Sequence, residues 1–481
     1  MASPADPRRV YFIGIKGTGM CALAELFHNG GIDVSGSDRG EVFYTDAILK
    51  ELGIPYYENF DAGHLPSLAD LVVYSAAYNA ENNVEIAEAQ RRGLTLLKYT
   101  DALGAYSARF DSSGIAGVHG KTTTTALAGT LLRAAGIPAR VLAGSAVAAF
   151  GGRSTLALGD KYFVAETCEY RKHFLAFHPR RIVLTSVESD HQDFFPDYES
   201  IRDAFVEYAL RLPAGGLLVY CADDGGAAET AALVLAKRRD IKTLGYGFSP
   251  RAPARISSRR VEAERCIFSL ALPGVGAESV FRLRVPGRHL VLDAAAALVL
   301  TGELLRAENR KWDAALLEKA AAALEAFTGS RRRSEIIGEA NGILFMDDYG
   351  HHPTAVRTTL EGLKEFYPQR RLVVSFMSHT YSRTAALIGE FAAALASADI
   401  VFLHKIYASA REVYRGGVNG RTLFEKTRAL KNGVYYTEEY ADAAAPLEEI
   451  LRPGDLFITM GAGDNWRLGR LLYGKLGGAE P

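Results

Sequence analysis

The sequence predicts an α/β fold made of three successive units, each with a parallel sheet at its centre. Three observations predict it. Short apolar runs, too brief for helices, recur along the chain with helix-period stretches between them. The distinctive polar residues follow directly after those runs, where open α/β sheets place their ligands. The chain has 481 residues, enough for three units at roughly 150 residues each. The expected division is a Rossmann-like unit over 1–108, a central P-loop ATPase-like α/β unit with appended antiparallel strands over 109–328, and a second Rossmann-like unit over 329–481.

In the first unit, residues 10–15 form an apolar run that ends in Gly14-Ile-Lys-Gly-Thr-Gly19, and Met20 opens a helical pattern. A second strand is expected over 33–38, ending in Ser37 and Asp38, and a third over 71–75, ending in Ser75. This is the opening of a nucleotide-binding βαβ unit. The glycine spacing is GxxGxG and not GxGxxG, which favours a diphosphate ligand at the helix start over NAD. His64 lies in a loop after Gly63, equally suited to loop packing and to a ligand.

The central unit carries the stretch Gly117-Val-His-Gly-Lys-Thr-Thr-Thr-Thr125 between a buried strand and a helix. Gly117 and Gly120 let backbone N–H groups turn around an anion, and the helix start adds its dipole. Val118 and His119 are the two residues between the glycines, where the usual phosphate loop has four. Lys121 supplies charge, and the Thr122 hydroxyl suits a Mg²⁺ that also holds phosphate. Thr123 continues the helix start. An ATP site is therefore expected. Two further strand ends, at Glu166 and just before His191, are expected beside Thr122 as Mg²⁺ ligands. Alternating runs between 242 and 285 predict antiparallel hairpins, and Asp293 then falls on an Ala-rich helix, as a polar residue of the helix face or a contact to a base.

The third unit begins at a basic hinge, with Arg333 the last of three consecutive arginines. A strand over 343–348 ends in paired acids, Asp347 and Asp348, and Tyr349-Gly-His-His-Pro353 opens a helix with proline near its first turn. Adjacent histidines diverge, so His351 and His352 are not expected to share a metal. Strands over 372–376, 400–403 and 455–460 are expected to complete a parallel set, with Arg383 in the loop after the first of them.

Composition excludes several classes. A formal net charge of −1 offers no field for nucleic acid or an anionic membrane. Four cysteines, Cys21, Cys168, Cys221 and Cys266, form no CxxC pair and read as reduced thiols. No apolar run approaches the roughly 20 residues of a membrane helix, and the amino terminus shows no export signal. A cytoplasmic monomer or weak homodimer without membrane insertion is expected.

Taken together, these motifs resemble the Mur ligases of peptidoglycan precursor synthesis. The resemblance rests on Gly14–Met20, Gly117–Thr125, Glu166-Thr-Cys-Glu-Tyr-Arg171, Asp348-Tyr-Gly-His-His-Pro353, His379-Thr-Tyr-Ser-Arg-Thr384 and Gly461-Ala-Gly-Asp464, in family order. It implies an ATP- and Mg²⁺-dependent amide ligation that joins L-alanine to the lactyl carboxylate of UDP-N-acetylmuramate through an acyl phosphate. By resemblance, Lys121 holds the β/γ-phosphates and Thr122, Glu166 and His191 surround Mg²⁺. Arg333 reaches ATP from the hinge, Asp348 holds the ribose, and Tyr349, His351 and Arg383 form the alanine pocket. Gly14, Gly17, Thr18, Gly19, Met20, Ser37, Asp38, His64 and Ser75 take the UDP part, and Lys16, where relatives have glycine, adds a diphosphate contact. Leu290 and Asp293 replace two asparagines, and Asp293 is expected to accept from adenine without donating. A tripeptide-adding ligase of the same family, and a nucleotide-dependent dehydrogenase built on Gly14–Gly19, are the alternatives.

Overall fold

The computed structural model describes residues 7–408 and 412–479. The first sheet contains β1 (Arg9–Ile13), β2 (Asp33–Ser37), β3 (Tyr56–Tyr57), β4 (Leu71–Tyr74) and β5 (Leu96–Lys98) in the order 3-2-1-4-5. All its pairings are parallel. Val10, Tyr11, Phe12 and Ile13 are fully buried because both faces of β1 are covered.

The central sheet has ten strands: β6 (Asp111–Ala116), β7 (Ala139–Val147), β8 (Arg153–Ala157), β9 (Tyr162–Glu166), β10 (Arg181–Leu184), β11 (Leu217–Cys221), β12 (Lys242–Gly247), β13 (Ala254–Glu262), β14 (Arg265–Leu270) and β15 (Ser279–Leu283). Their order is 15-14-13-12-11-10-6-9-7-8. The antiparallel strands expected near 242–285 are β13, β14 and β15. A second antiparallel edge, β8 on β7, has no clear period-2 signal in the sequence.

The third sheet runs β16 (Glu335–Ala340), β17 (Ile343–Asp348), β21 (Asp455–Gly461), β18 (Arg371–Met377), β19 (Ile400–Leu403), β20 (Val434–Tyr436). The four strands read from the sequence are parallel as expected. The sheet as a whole is mixed, because β16 folds back antiparallel on β17 across Asn341-Gly342.

Two apolar cores cross the boundaries between sheets. One joins the helix Thr18–His28 and β1 to Phe163, Phe174 and Phe205. The other runs from the helix Lys121–Ala135 through the Ala-rich helix Arg288–Ala307 to Val356, Leu360 and Phe376. Alanines 294 to 297 are fully buried, which lets the Ala-rich helix lie close to its neighbours. No helix among the described residues is long and apolar enough to cross a membrane.

Candidate active site

The order 10-6-9 decides the geometry of the centre. The phosphate loop leaves β6, Glu166 ends β9 on one side, and the 185–191 segment leaves β10 on the other. Gly117 has φ +138° and a side chain there would meet Thr185 Oγ1 at 2.1 Å and Ser186 N at 2.8 Å. The loop is fastened to that segment: Val118 N donates to Ser186 O at 3.1 Å, His119 N donates to Ser186 Oγ at 2.9 Å, and Thr185 Oγ1 donates to His119 O. These bonds hold a loop two residues shorter than the usual one. Gly120, at φ +80°, caps the helix Lys121–Ala135.

Thr122 Oγ1 donates to Glu166 Oε2 at 2.7 Å. Lys121 Nζ lies 2.8 Å from Glu169 Oε2, and His191 Nε2 lies 3.2 Å from Glu169 Oε1. Burial opposes the charge on Lys121, but Glu169 reverses the effect and raises its pKa. Burial likewise pushes Glu169 up, and Lys121 with His191 brings it below the usual carboxylate range. Glu169 belongs to a quoted motif, yet it was not read as a site residue. Its signal was the spacing of three from Glu166, which a tight turn after β9 brings back to the loop. His191 adopts φ +56°, and its Nδ1 is buried without a hydrogen-bond partner.

Asp293 is buried on the Ala-rich helix and accepts from Thr124 Oγ1 at 3.0 Å. Its oxygen lies 2.4 Å from where a side chain at Gly120 would begin. Burial, above all, pushes its carboxyl up to about 7. A carboxyl with a pKa of about 7 is part protonated near neutral pH, and the protonated form donates as well as accepts.

The third unit supplies the opposite wall. Asp348, at the end of β17, accepts from Ser334 N and Gly350 N, both at 2.7 Å. The three hinge arginines separate. Arg331 sits over Tyr44, Arg332 pairs with Asp347 at 2.8 Å, and Arg333 faces the cavity beside Tyr349. His351 Nδ1 bonds Tyr349 O at 2.9 Å, and its ring meets His379 edge-on at 5.4 Å. Burial, followed by Arg383, holds His351 well below the ordinary imidazole pKa. Arg383 is 2 % exposed and donates through Nε and Nη2 to Asp190 at 2.8 and 2.7 Å, and through Nη1 to His379 Nδ1 at 3.0 Å. Burial alone would raise Asp190; Arg383 holds it far below the carboxylate range. The Arg383 guanidinium, expected in the alanine pocket, is therefore largely engaged in joining the third unit to the centre. Asp190 and His379 were not singled out, because their roles depend on the facing of two units 190 residues apart in sequence.

All these groups line one cavity of about 440 Å³: Val118, His119, Gly120, Lys121, Thr122, Thr123, Glu166, His191 and Asp293 from the centre, with Arg333, Asp348, Tyr349, His351 and Arg383 opposite. The first-unit candidates lie elsewhere, at the carboxyl end of their own sheet. Gly14, at φ +84°, follows β1 and donates to Ser37 O at 2.8 Å, and its side-chain position faces Ser75. Gly17 caps the helix begun by Thr18, Gly19 abuts Tyr99, and Met20 is core. Asp38 accepts from Lys16 N at 2.7 Å. His64 stacks on Tyr57 at 3.7 Å and pairs with the buried Glu85, which Ser37 Oγ also reaches. Lys16 departs from its expected diphosphate contact. Its side chain is 1 % exposed, and the ammonium is held by Asp46 at 3.0 Å and Glu58 at 3.3 Å.

Comparison with known proteins fits this geometry. Family models match three consecutive stretches: "Mur ligase family, catalytic domain" over residues 9–111, "Mur ligase middle domain" over 115–301, and "Mur ligase, glutamate ligase domain" over 332–463. The chain belongs to the Mur ligase family. Among family relatives, the UDP-N-acetylmuramate–L-alanine ligase of Treponema pallidum is 50 % identical over 465 residues, covering 97 % of this chain and 96 % of that one. That of Borreliella burgdorferi is 38 % identical over 470 residues, covering 96 % and 98 %. The crystal structure of the UDP-N-acetylmuramate–alanine ligase of Thermotoga maritima shares the Mur ligase fold with a TM-score of 0.77, at 24 % identity, over 97 % of this chain and 98 % of that one.

Proposed function

We propose that this Mur ligase joins L-alanine to the lactyl carboxylate of UDP-N-acetylmuramate, with ATP converted to ADP and phosphate. Two observations support the reading: the phosphate loop of the central unit and the polar strand ends of the third unit line a single cavity, and relatives named for this reaction match 96–97 % of the chain.

In this reading the unit over 1–108 holds the UDP-sugar, that over 109–328 ATP, and that over 329–481 the amino acid. Loop N–H groups, Lys121 and the helix start take the phosphates. Asp348 suits a ribose, and Asp293 the adenine amino group. The sugar carboxylate attacks the γ-phosphorus, the bond to ADP breaks, and an acyl phosphate forms. The alanine amine then adds to that carbonyl, loses a proton, and phosphate leaves. Oxygen bound to a carboxyl carbon is a poor leaving group until phosphorylated, so the protein's task is to position and neutralise crowded anions. His351 lines the same wall of the cavity, and burial, followed by Arg383, holds its imidazole neutral, so that it offers a hydrogen-bond acceptor and no positive charge there. Thr122, Glu166 and His191, whose Nδ1 lacks a hydrogen-bond partner, fit a Mg²⁺, which would supply charge neutralisation at the phosphates.

The test is phosphate release with ATP, UDP-N-acetylmuramate and a panel of amino acids and peptides. Release dependent on L-alanine is expected. Release with a tripeptide but not with L-alanine would replace this reading by the tripeptide-adding one.

A further inference from the structure

Beside the nucleotide loop stands a group of side chains that the reaction above does not use. His119 of the loop, Glu188 after β10 and His352 at the start of the helix Pro353–Phe366 bring one donor atom each to within 4.8 Å of one another. His119 Nε2 and Glu188 Oε1 are in direct contact, and His352 Nδ1 lies 3.8 Å from the same oxygen. The two imidazole rings are 5.0 Å apart. Adjacent histidines do diverge, as the sequence predicted; the second nitrogen ligand comes from another unit instead.

The surroundings arrange these donors as a metal centre does. His352 Nε2 faces Ser189 O at 3.2 Å, and Nδ1 accepts from Thr354 N at 3.3 Å. Nε2 therefore carries the proton, and the one Nδ1 lone pair, which caps Thr354 N in the metal-free chain, is the donor that an ion beside Glu188 takes over in place of that cap. A ring whose far N–H is anchored on a carbonyl is the usual state of a metal-bound histidine. The other oxygen of Glu188 accepts from Thr354 Oγ1 at 2.8 Å, which fixes the carboxylate. Burial, helped by His119, lowers the pKa of His352. Burial works against the charge of Glu188, but His119 brings its pKa down to about 2.

We propose that His119, Glu188 and His352 form a zinc-class transition-metal site that fastens the third unit to the nucleotide loop. Two imidazoles and one carboxylate are a ligand set of Zn²⁺ sites with an open fourth position. At metal–ligand distances of about 2.0–2.2 Å, tetrahedral donors lie about 3.3 Å apart, so His352 needs to move in by about 0.5–1.5 Å while the His119–Glu188 contact opens by about 1 Å. This ion is distinct from the Mg²⁺ assigned to Thr122, Glu166 and His191, and its binding does not depend on which amine the enzyme uses.

The test uses tag-free, chelator-stripped full chain without Mg²⁺. Zn²⁺ is titrated by calorimetry, and Co²⁺ is followed through its visible absorption. One ion per chain with the intense bands of tetrahedral cobalt is expected. Glu188→Gln and His352→Asn, the latter chosen because asparagine still caps the helix, should each weaken binding at least about 10–100-fold. Circular dichroism checks that both variants are folded. Absence of saturable binding, or affinity unchanged in both variants, overturns the proposal. So does a thiolate-to-cobalt charge-transfer band abolished by Cys168→Ser, which would place the ion at the exposed Cys168 instead.

Discussion

Replacing Asp293 by asparagine should make the central unit more stable at alkaline pH, against the usual effect of a core substitution. The carboxyl is 5 % exposed, and burial moves it from 3.8 to about 7. A rise of about three pKa units, at 1.36 kcal/mol each, corresponds to about 4 kcal/mol. The sign follows from proton counting. Between pH 4 and 7 the folded chain keeps a proton that the unfolded chain has shed, so stability falls as pH rises through that window and then levels off. Asparagine has no proton to keep. Any difference in hydrogen bonding to Thr124 shifts the variant by the same amount at every pH. The stability of Asp293→Asn relative to the parent should therefore improve by about 2–3 kcal/mol between pH 5 and pH 8. The chain has two tryptophans, and Trp312 is buried in the central unit. Urea unfolding followed by Trp312 fluorescence, in a Trp466→Phe background, reads this unit alone. A difference between variant and parent that is the same at both pH values would refute a buried, protonated Asp293.

Three further outcomes follow. Lys121→Ala should lower phosphate release by at least about 10²–10³-fold with an unchanged circular dichroism spectrum; parity with the parent would remove Lys121 from the phosphate site. Gly117→Ala should lower the thermal midpoint by the equivalent of about 1–3 kcal/mol, because the new methyl meets Thr185 and Ser186 at a φ of +138°; an unchanged midpoint would mean that the loop is not held as described. Arg383→Ala leaves Asp190 buried and unpaired and should cost about 3–5 kcal/mol. Adding Asp190→Asn should recover most of that cost, and a double variant no better than the single one would show that the pair does not join the units.

The parallel strands and the loop glycines were legible in the sequence because both are local. A buried strand is a short apolar run, and Gly117 and Gly120 precede a helix start. The missed parts depend on distance. β16 and β8 are edge strands whose sequences, Glu335–Ala340 and Arg153–Ala157, carry no clean alternation, since β16 is largely uncovered on both faces and β8 buries three successive residues. Lys16 was misread for a related reason. A lysine next to glycines reads as a phosphate contact until the fold brings Asp46 and Glu58 against it. Asp293 was legible as a polar residue on the Ala-rich helix, but its raised pKa comes from burial, which a helix pattern does not disclose. Glu188 and His352 were invisible as a pair because one lies in the segment after a central strand and the other caps a helix of the third unit.

The bond between Asp190 and Arg383 also bears on how quickly the third unit can leave. Two ions that part from each other regain water at once, and that hydration offsets much of the lost attraction. A greasy contact of the same area would regain nothing on parting. The joint across the cavity therefore costs less to part, for the area it covers, than an apolar one would.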